Sequence, residues 1–118
     1  MNAAAKSVYY FGFYLLLLSV ALTTFPNALL GIFQMPETSE VWIRVVGVLV
    51  FSIGIYYVVM ARSNHTLFLT ITVFIRLSIL LWFMVFVFIN WAPPTLILFG
   101  IVDALGALWT YQALKKLN

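Results

Sequence analysis

The chain has no cysteine, a single histidine, and only three Asp/Glu and six Lys/Arg among 118 residues. Without cysteine there is no disulfide, iron–sulfur or thiolate–zinc chemistry. The histidine stands in the turn Arg62-Ser63-Asn64-His65 with no second His and no acid beside it, so no metal site and no cofactor is expected. Charge this sparse makes no basic patch for a phosphate backbone, which excludes nucleic acid as a partner. The charged share is 8%, against about a quarter in soluble domains. The glycines form neither a P-loop nor a dinucleotide-binding pattern. No set of catalytic residues emerges, because an enzyme needs a base, an acid or a metal site.

Hydrophobic residues make up 65% of the chain, and the mean hydropathy is +1.14. About 20 apolar residues make one membrane-crossing helix, so the composition predicts an all-α membrane protein with four transmembrane helices in one domain, 1–118. The apolar runs place the spans at about 8–25, 41–61, 66–89 and 95–114. Lys6 precedes the first run as in a signal peptide. The run is longer than a usual signal core, however, and a retained span is expected. Pro26 ends it, since proline lacks the amide hydrogen and clashes with the preceding turn. The 26–40 segment carries Pro26, Asn27, Gly31, Pro36, Glu37, Ser39 and Glu40 around the apolar stretch 28–33. It is expected to lie at the membrane interface as a short helix or folded loop. Thr38 or Ser39 can cap the following helix.

Lys6, Arg62, Lys115 and Lys116 fall on one side of this arrangement, and the 26–40 and 90–94 connections carry no Lys or Arg. The positive-inside rule then puts both termini and the 62–65 turn in the cytoplasm. Short connections make spans two and three, and spans three and four, antiparallel neighbours in an up-down-up-down bundle.

Three ionisable residues lie inside spans: Arg44, Arg76 and Asp103. Each costs about 2.5–3.5 kcal/mol at the centre of an inserted helix, so each needs a partner. Arg76 lies ten residues after Thr66, which at 1.5 Å per residue is about 15 Å from that end. Asp103 lies eight residues after Thr95, about 12 Å from the opposite face of a core about 30 Å thick. The two are therefore expected at one level as an ion pair. Arg44 can pair with Glu40 one turn earlier or reach towards Asp103. Thr72, one turn before Arg76, can supply a hydroxyl. Thr110 shares roughly the face of Asp103. The expected ligand-binding set is Arg44, Thr72, Arg76 and Asp103. Gly47, Gly54 and Ala61 on the second span and Gly100, Gly106 and Ala107 on the fourth are expected at helix-packing seams, where small residues let backbones approach. Gly12 and Ser19 make a shorter version on the first.

The arrangement Phe25-Pro26, Leu29-Leu30, Pro36, Glu40-Val41-Trp42-Ile43-Arg44, Gly47, Gly54, Tyr56-Tyr57, Ala61-Arg62, Arg76, Pro93, Phe99-Gly100, Asp103, Gly106-Ala107 and Trp109 resembles small four-span bacterial membrane proteins of the loose DoxX-like group. The likeness runs over nearly the whole chain. It implies this fold in a bacterial cytoplasmic (inner) membrane and transfers no catalytic residue. Three functions follow as expectations. The first is a non-enzymatic bundle that binds a lipophilic or anionic small molecule, or membrane lipid, at the Arg/Asp site. The second is an accessory subunit, in a homo-oligomer or larger membrane complex, in which Arg76–Asp103 is a helix clamp. The third is a proton-coupled carrier using Asp103.

Overall fold

A computed structural model describes residues 1–117 as five helices: α1 Ala3–Thr24, α2 Pro26–Ile32, α3 Trp42–Arg62, α4 Thr66–Phe88 and α5 Leu96–Lys115. Four of them (α1, α3, α4 and α5) are long and apolar enough to cross a membrane. The chain is thus an all-helical, multi-pass membrane protein. The first span begins at Ala3, five residues earlier than its apolar run. The Asn2 side chain accepts the Ala5 amide at 2.8 Å, which supplies an N-cap. Ala4, Ala5 and Ser7 then pack as small buried residues.

Pro26 interrupts the helix as its chemistry requires, but the chain restarts at once. Proline is the first residue of α2, a position where its missing N–H costs nothing. The segment after α2 folds back on itself. Asn27 donates to the Thr38 carbonyl at 3.0 Å and accepts the Thr38 amide at 2.9 Å. Thr95 donates to the Phe33 carbonyl, and the Phe33 and Phe99 rings lie 4.2 Å apart. These contacts seat the 26–40 segment on the start of α5. Neither Thr38 nor Ser39 caps α3, whose N-cap is Val41 with no side-chain bond. Thr38 is held by Asn27, and its hydroxyl takes the Glu40 amide instead, at 3.1 Å.

The lone histidine is a helix cap: His65 Nδ1 accepts the Phe68 amide at 3.2 Å and starts α4. Before it, Asn64 turns the chain with φ 52°, a left-handed conformation that asparagine tolerates better than most residues. The Asn64 side chain also accepts the Asn2 amide at 2.9 Å. Ser7 meets Thr110 at 2.5 Å. The start of α1, the α3–α4 turn and the last turns of α5 therefore gather at one end of the bundle.

The lateral order differs from the one the short connections predict. α3 packs along α1, α1 touches α5, and α5 packs along α4, while α3 and α4 make no extensive contact. The Cα envelope is flattened accordingly, 46 × 29 × 18 Å. Packing surface, not chain connectivity, decides the order, because lipid supplies no hydrophobic drive between helices and close backbone approach has to. A Cβ on Gly54 would lie 3.2 Å from the Gly12 carbonyl, and one on Gly12 would lie 3.2 Å from the Gly54 carbonyl. A Cβ on Gly47 would lie 2.6 Å from Thr23 Cγ2. The glycine stripe of α3 is thus spent on α1, leaving α3 no small-residue face for α4. The two meet through the Tyr57 and Phe68 rings, 5.7 Å apart and edge to face, next to the turn that joins them.

Candidate functional site

Arg76 is the largest fully buried side chain, 2% exposed, near the middle of α4. A helical side chain leans towards its own N-terminus, so the guanidinium drops one turn to Thr72. Nε donates to the Thr72 carbonyl at 3.1 Å. Nη2 donates to the Thr72 hydroxyl at 3.1 Å and to the Thr110 hydroxyl at 2.8 Å. The Phe11 and Tyr57 rings cover the cation, with centroids 4.9 and 5.7 Å from Cζ. Ring faces are electron-rich, so they partly replace lost hydration. Gly106 makes room for this cluster. A Cβ there would sit 2.7 Å from the Phe11 ring and 3.1 Å from Nη1.

The network continues away from the cation. Thr110 lies 3.1 Å from the Gly106 carbonyl and 2.5 Å from Ser7 Oγ, which lies 2.7 Å from the Ala4 carbonyl. Each hydroxyl has one proton. If Ser7 donates to Ala4, Thr110 donates to Ser7, and the lone pairs of Thr110 stay free for Arg76. Three helices, α1, α4 and α5, are joined through these four side chains, Ser7, Thr72, Arg76 and Thr110.

The expected ion pair does not form. Arg76 donates to Thr72 and Thr110, not to Asp103, and Nη1 has no hydrogen-bond partner. Depth along the backbone does not locate the charge, because the side chain leans one turn towards Thr72. The head of Arg76 points towards the level of Thr110, seven residues (about 10 Å) beyond Asp103 along α5. Arg44 also goes elsewhere. It is exposed, and Nη1 donates to the carbonyl of Thr23 instead of pairing with Glu40 or reaching Asp103. There it satisfies a carbonyl of the last turn of α1, where a cation is favoured.

Arg76 and Asp103 do share a cavity. It measures about 340 Å³ and extends from these two residues to the 26–40 segment. Leu18 and Leu22 of α1, Val50 and Ile53 of α3, and Ile79 and Phe83 of α4 form its walls. Leu29, Leu30, Phe33 and Met35 close the end away from the polar pair. Among the described residues, Arg76 and Asp103 are its only charged lining residues, joined by the hydroxyl-bearing Tyr14 and Tyr57. Its α3 and α4 walls make no extensive contact with each other, and Ile53 and Ile75 on them remain 44% and 55% exposed. In a bilayer these two residues face acyl chains.

Of the expected ligand set, then, Arg76 and Asp103 border the cavity, Thr72 orients Arg76 from behind, and Arg44 is apart. Gly47, Gly54 and Gly100 sit at helix crossings, Ala61 and Ala107 are fully buried, and Gly106 shapes the polar cluster. Ser7 and Thr110, which hold this network together, stand outside the expected ligand set. Ser7 falls before the apolar run and reads as part of a polar terminus. Thr110 had a signal, a hydroxyl on the Asp103 face, but at the wrong depth for a midplane pair.

No protein-family model, curated protein or solved structure matches this chain.

The geometry sets an expectation for the two charges. Breaking a buried ion pair by removing one partner costs about 3–5 kcal/mol. Arg76 and Asp103 exchange no hydrogen bond, so Arg76→Gln and Asp103→Asn should couple only through space across the cavity they share. A double-mutant cycle measured by unfolding in detergent should give a coupling of about 1–2 kcal/mol, well short of a broken pair. A value near that of a broken pair would reinstate the clamp.

Proposed function

We propose that this protein binds a lipophilic molecule, taken from the membrane through the gap between α3 and α4, with its polar end at Arg76 and Asp103 and its apolar body against the cavity wall. The observation that carries this reading is the state of Arg76. A fully buried guanidinium uses three of its N–H groups on Thr72 and Thr110 and leaves Nη1 without a partner, on the border of an apolar cavity of 340 Å³. An unsatisfied buried donor costs about 1–3 kcal/mol, more when charged. A bound acceptor would remove that cost. Cavities of this size, mostly apolar with a few convergent polar groups, are the usual form of small-molecule sites.

The reading includes a topology. The four spans run up-down-up-down, with Lys6, Arg62, Lys115 and Lys116 on the cytoplasmic side of a bacterial inner membrane. Contacts between Asn2 and Asn64 and between Ser7 and Thr110 support both termini and the α3–α4 turn sharing that side. The resemblance to DoxX-like proteins belongs to the same proposal. The 26–40 segment then covers the cavity from the outer face, and entry is lateral.

Filling the cavity tests this without touching its polar end. Val50→Trp and Ile79→Trp enter from opposite walls. Protein purified in mild detergent should carry a lipophilic molecule detectable by mass spectrometry after solvent extraction, and both variants should lose most of it while staying folded. Equal amounts of the same molecules on wild type and both variants would reject the cavity as the binding site.

A further inference from the structure

We propose a second binding site, for one anionic phospholipid, in a groove between α4 and α5 at the end of the bundle where α5 finishes. The groove encloses about 200 Å³ and is lined by Thr70, Val73 and Phe74 of α4 and by Tyr111, Leu114 and Lys115 of α5. It shares no residue with the cavity that Arg76 and Asp103 border. Its polarity is graded. Lys115 is the last residue of α5 and stands at the mouth. Thr70 and Phe74 lie four and eight residues after the start of α4 at Thr66, about 6 and 12 Å along the helix. Val73, 3% exposed, forms the floor, while Phe74 and Tyr111, 66% and 47% exposed, leave the groove open to lipid. A charged mouth above an apolar floor fits a molecule with an anionic head and a hydrocarbon tail.

Charge names the head. The end of the bundle that gathers the start of α1, the α3–α4 turn and the last turn of α5 carries Lys6, Arg62, Lys115 and Lys116, and no Asp or Glu. Glu37 and Glu40 lie in the 26–40 segment at the other end. Asp103 precedes Lys115 by twelve residues, about 18 Å along α5. The ammonium is also turned inward. Lys115 Nζ lies 5.8 Å from the centroid of the Tyr111 ring, one turn deeper, whereas a lysine near a helix end in a membrane stretches out to the interface. The ammonium and the Tyr111 hydroxyl, both donors, thus border one opening. Basic pockets between membrane helices receive anionic headgroups. A soluble anion would meet Lys115 and leave Val73 and Phe74 uncovered. A phosphatidylcholine would cover them and set its own cation beside Lys115. An acidic peptide would bring backbone groups that the apolar floor cannot satisfy.

Native mass spectrometry counts bound lipids, and in about 0.5 M ammonium acetate attraction beyond about 4 Å is screened. Phosphatidylglycerol and phosphatidylcholine with identical acyl chains are added in turn to the detergent-purified protein. Wild type should hold one phosphatidylglycerol about fivefold or more tightly than the phosphatidylcholine, the worth of one lysine at the headgroup. Lys115→Gln should lose that preference. Lys116→Gln, next in sequence but outside the groove, should keep it, because its charge is screened. Thr70→Phe fills the groove without changing any charge and should bind the anionic lipid no better than the neutral one. Equal binding of the two lipids by wild type overturns the site. So do equal losses in Lys115→Gln and Lys116→Gln, which would mean diffuse attraction, or undiminished binding by Thr70→Phe. Displacement by an equal concentration of glycerol phosphate would assign the groove to a soluble anion and reject the lipid. Val50→Trp, which fills the other cavity, should leave phosphatidylglycerol binding unchanged, so the two sites stand or fall separately.

Discussion

Gly100→Leu should cost about 3 kcal/mol of stability, the upper end of what overpacking a well-packed contact does. A Cβ on Gly100 would stand 2.9 Å from Leu80 Cα and 3.0 Å from Leu80 Cδ1. The first of these is backbone, and backbone yields only if α4 and α5 separate. At Gly54 the nearest obstruction is the end of the Leu16 side chain, 2.9 Å away, which can rotate. Gly54→Ala should therefore be milder than Gly100→Ala, and Gly100→Leu worse than either. Unfolding in a denaturing detergent, with helix content followed by circular dichroism, measures the order. Because α4 reaches the rest of the bundle mainly through α5, the damage at Gly100 should also loosen the wall of the cavity. Indistinguishable stabilities for the three variants would mean that the α4–α5 crossing is not as close as described.

The second large effect concerns Thr110. Thr110→Val keeps the shape and removes the oxygen. It strands one N–H of Arg76 Nη2 and deprives Ser7 of its neighbour, both inside the bundle. Unsatisfied buried groups cost about 1–3 kcal/mol each, more for a charged donor, so a loss of about 2–4 kcal/mol is expected. Thr110→Ser keeps the oxygen and should recover most of it. Adding Arg76→Met to Thr110→Val should restore stability as well, since replacing buried charge with apolar side chains is often neutral or favourable. That double variant should be stable and devoid of ligand. Such a separation would mark Arg76 as retained for binding. If Thr110→Val unfolds at the wild-type point, the hydroxyl network contributes nothing, and the orientation of Arg76 must come from Thr72 and the rings alone.

The spans were legible because a bilayer imposes length and apolarity directly on the sequence. Phe25-Pro26, the polar turn at 62–65 and Asn90 to Pro94 marked their ends to within a few residues. The start of α1 was missed because a helix cap and a run of alanines carry little hydropathy. The neighbour relations were hidden for a different reason. In a chain apolar on all sides, hydrophobic periodicity does not separate a lipid-facing helix surface from a protein-facing one. The glycines did carry that information. Gly12 on α1 and Gly47 and Gly54 on α3 were visible as small-residue stripes, yet nothing in the sequence said which stripe faced which. At the site, Thr72 and Arg76 at one-turn spacing were readable from helix geometry alone. The partner of Arg76 on α5 was not, because a long side chain shifts its charged head about a helical turn from its Cα, and depth arithmetic follows the backbone.

The unpacked gap between α3 and α4 also sets the scale on which any affinity here is to be judged. The rival for the cavity is not water but the tails of surrounding lipids, present at overwhelming excess and always in contact with the entrance. Occupancy then follows the mole fraction of the ligand within the bilayer, so doubling the lipid at constant ligand should empty the site as effectively as withdrawing half the ligand.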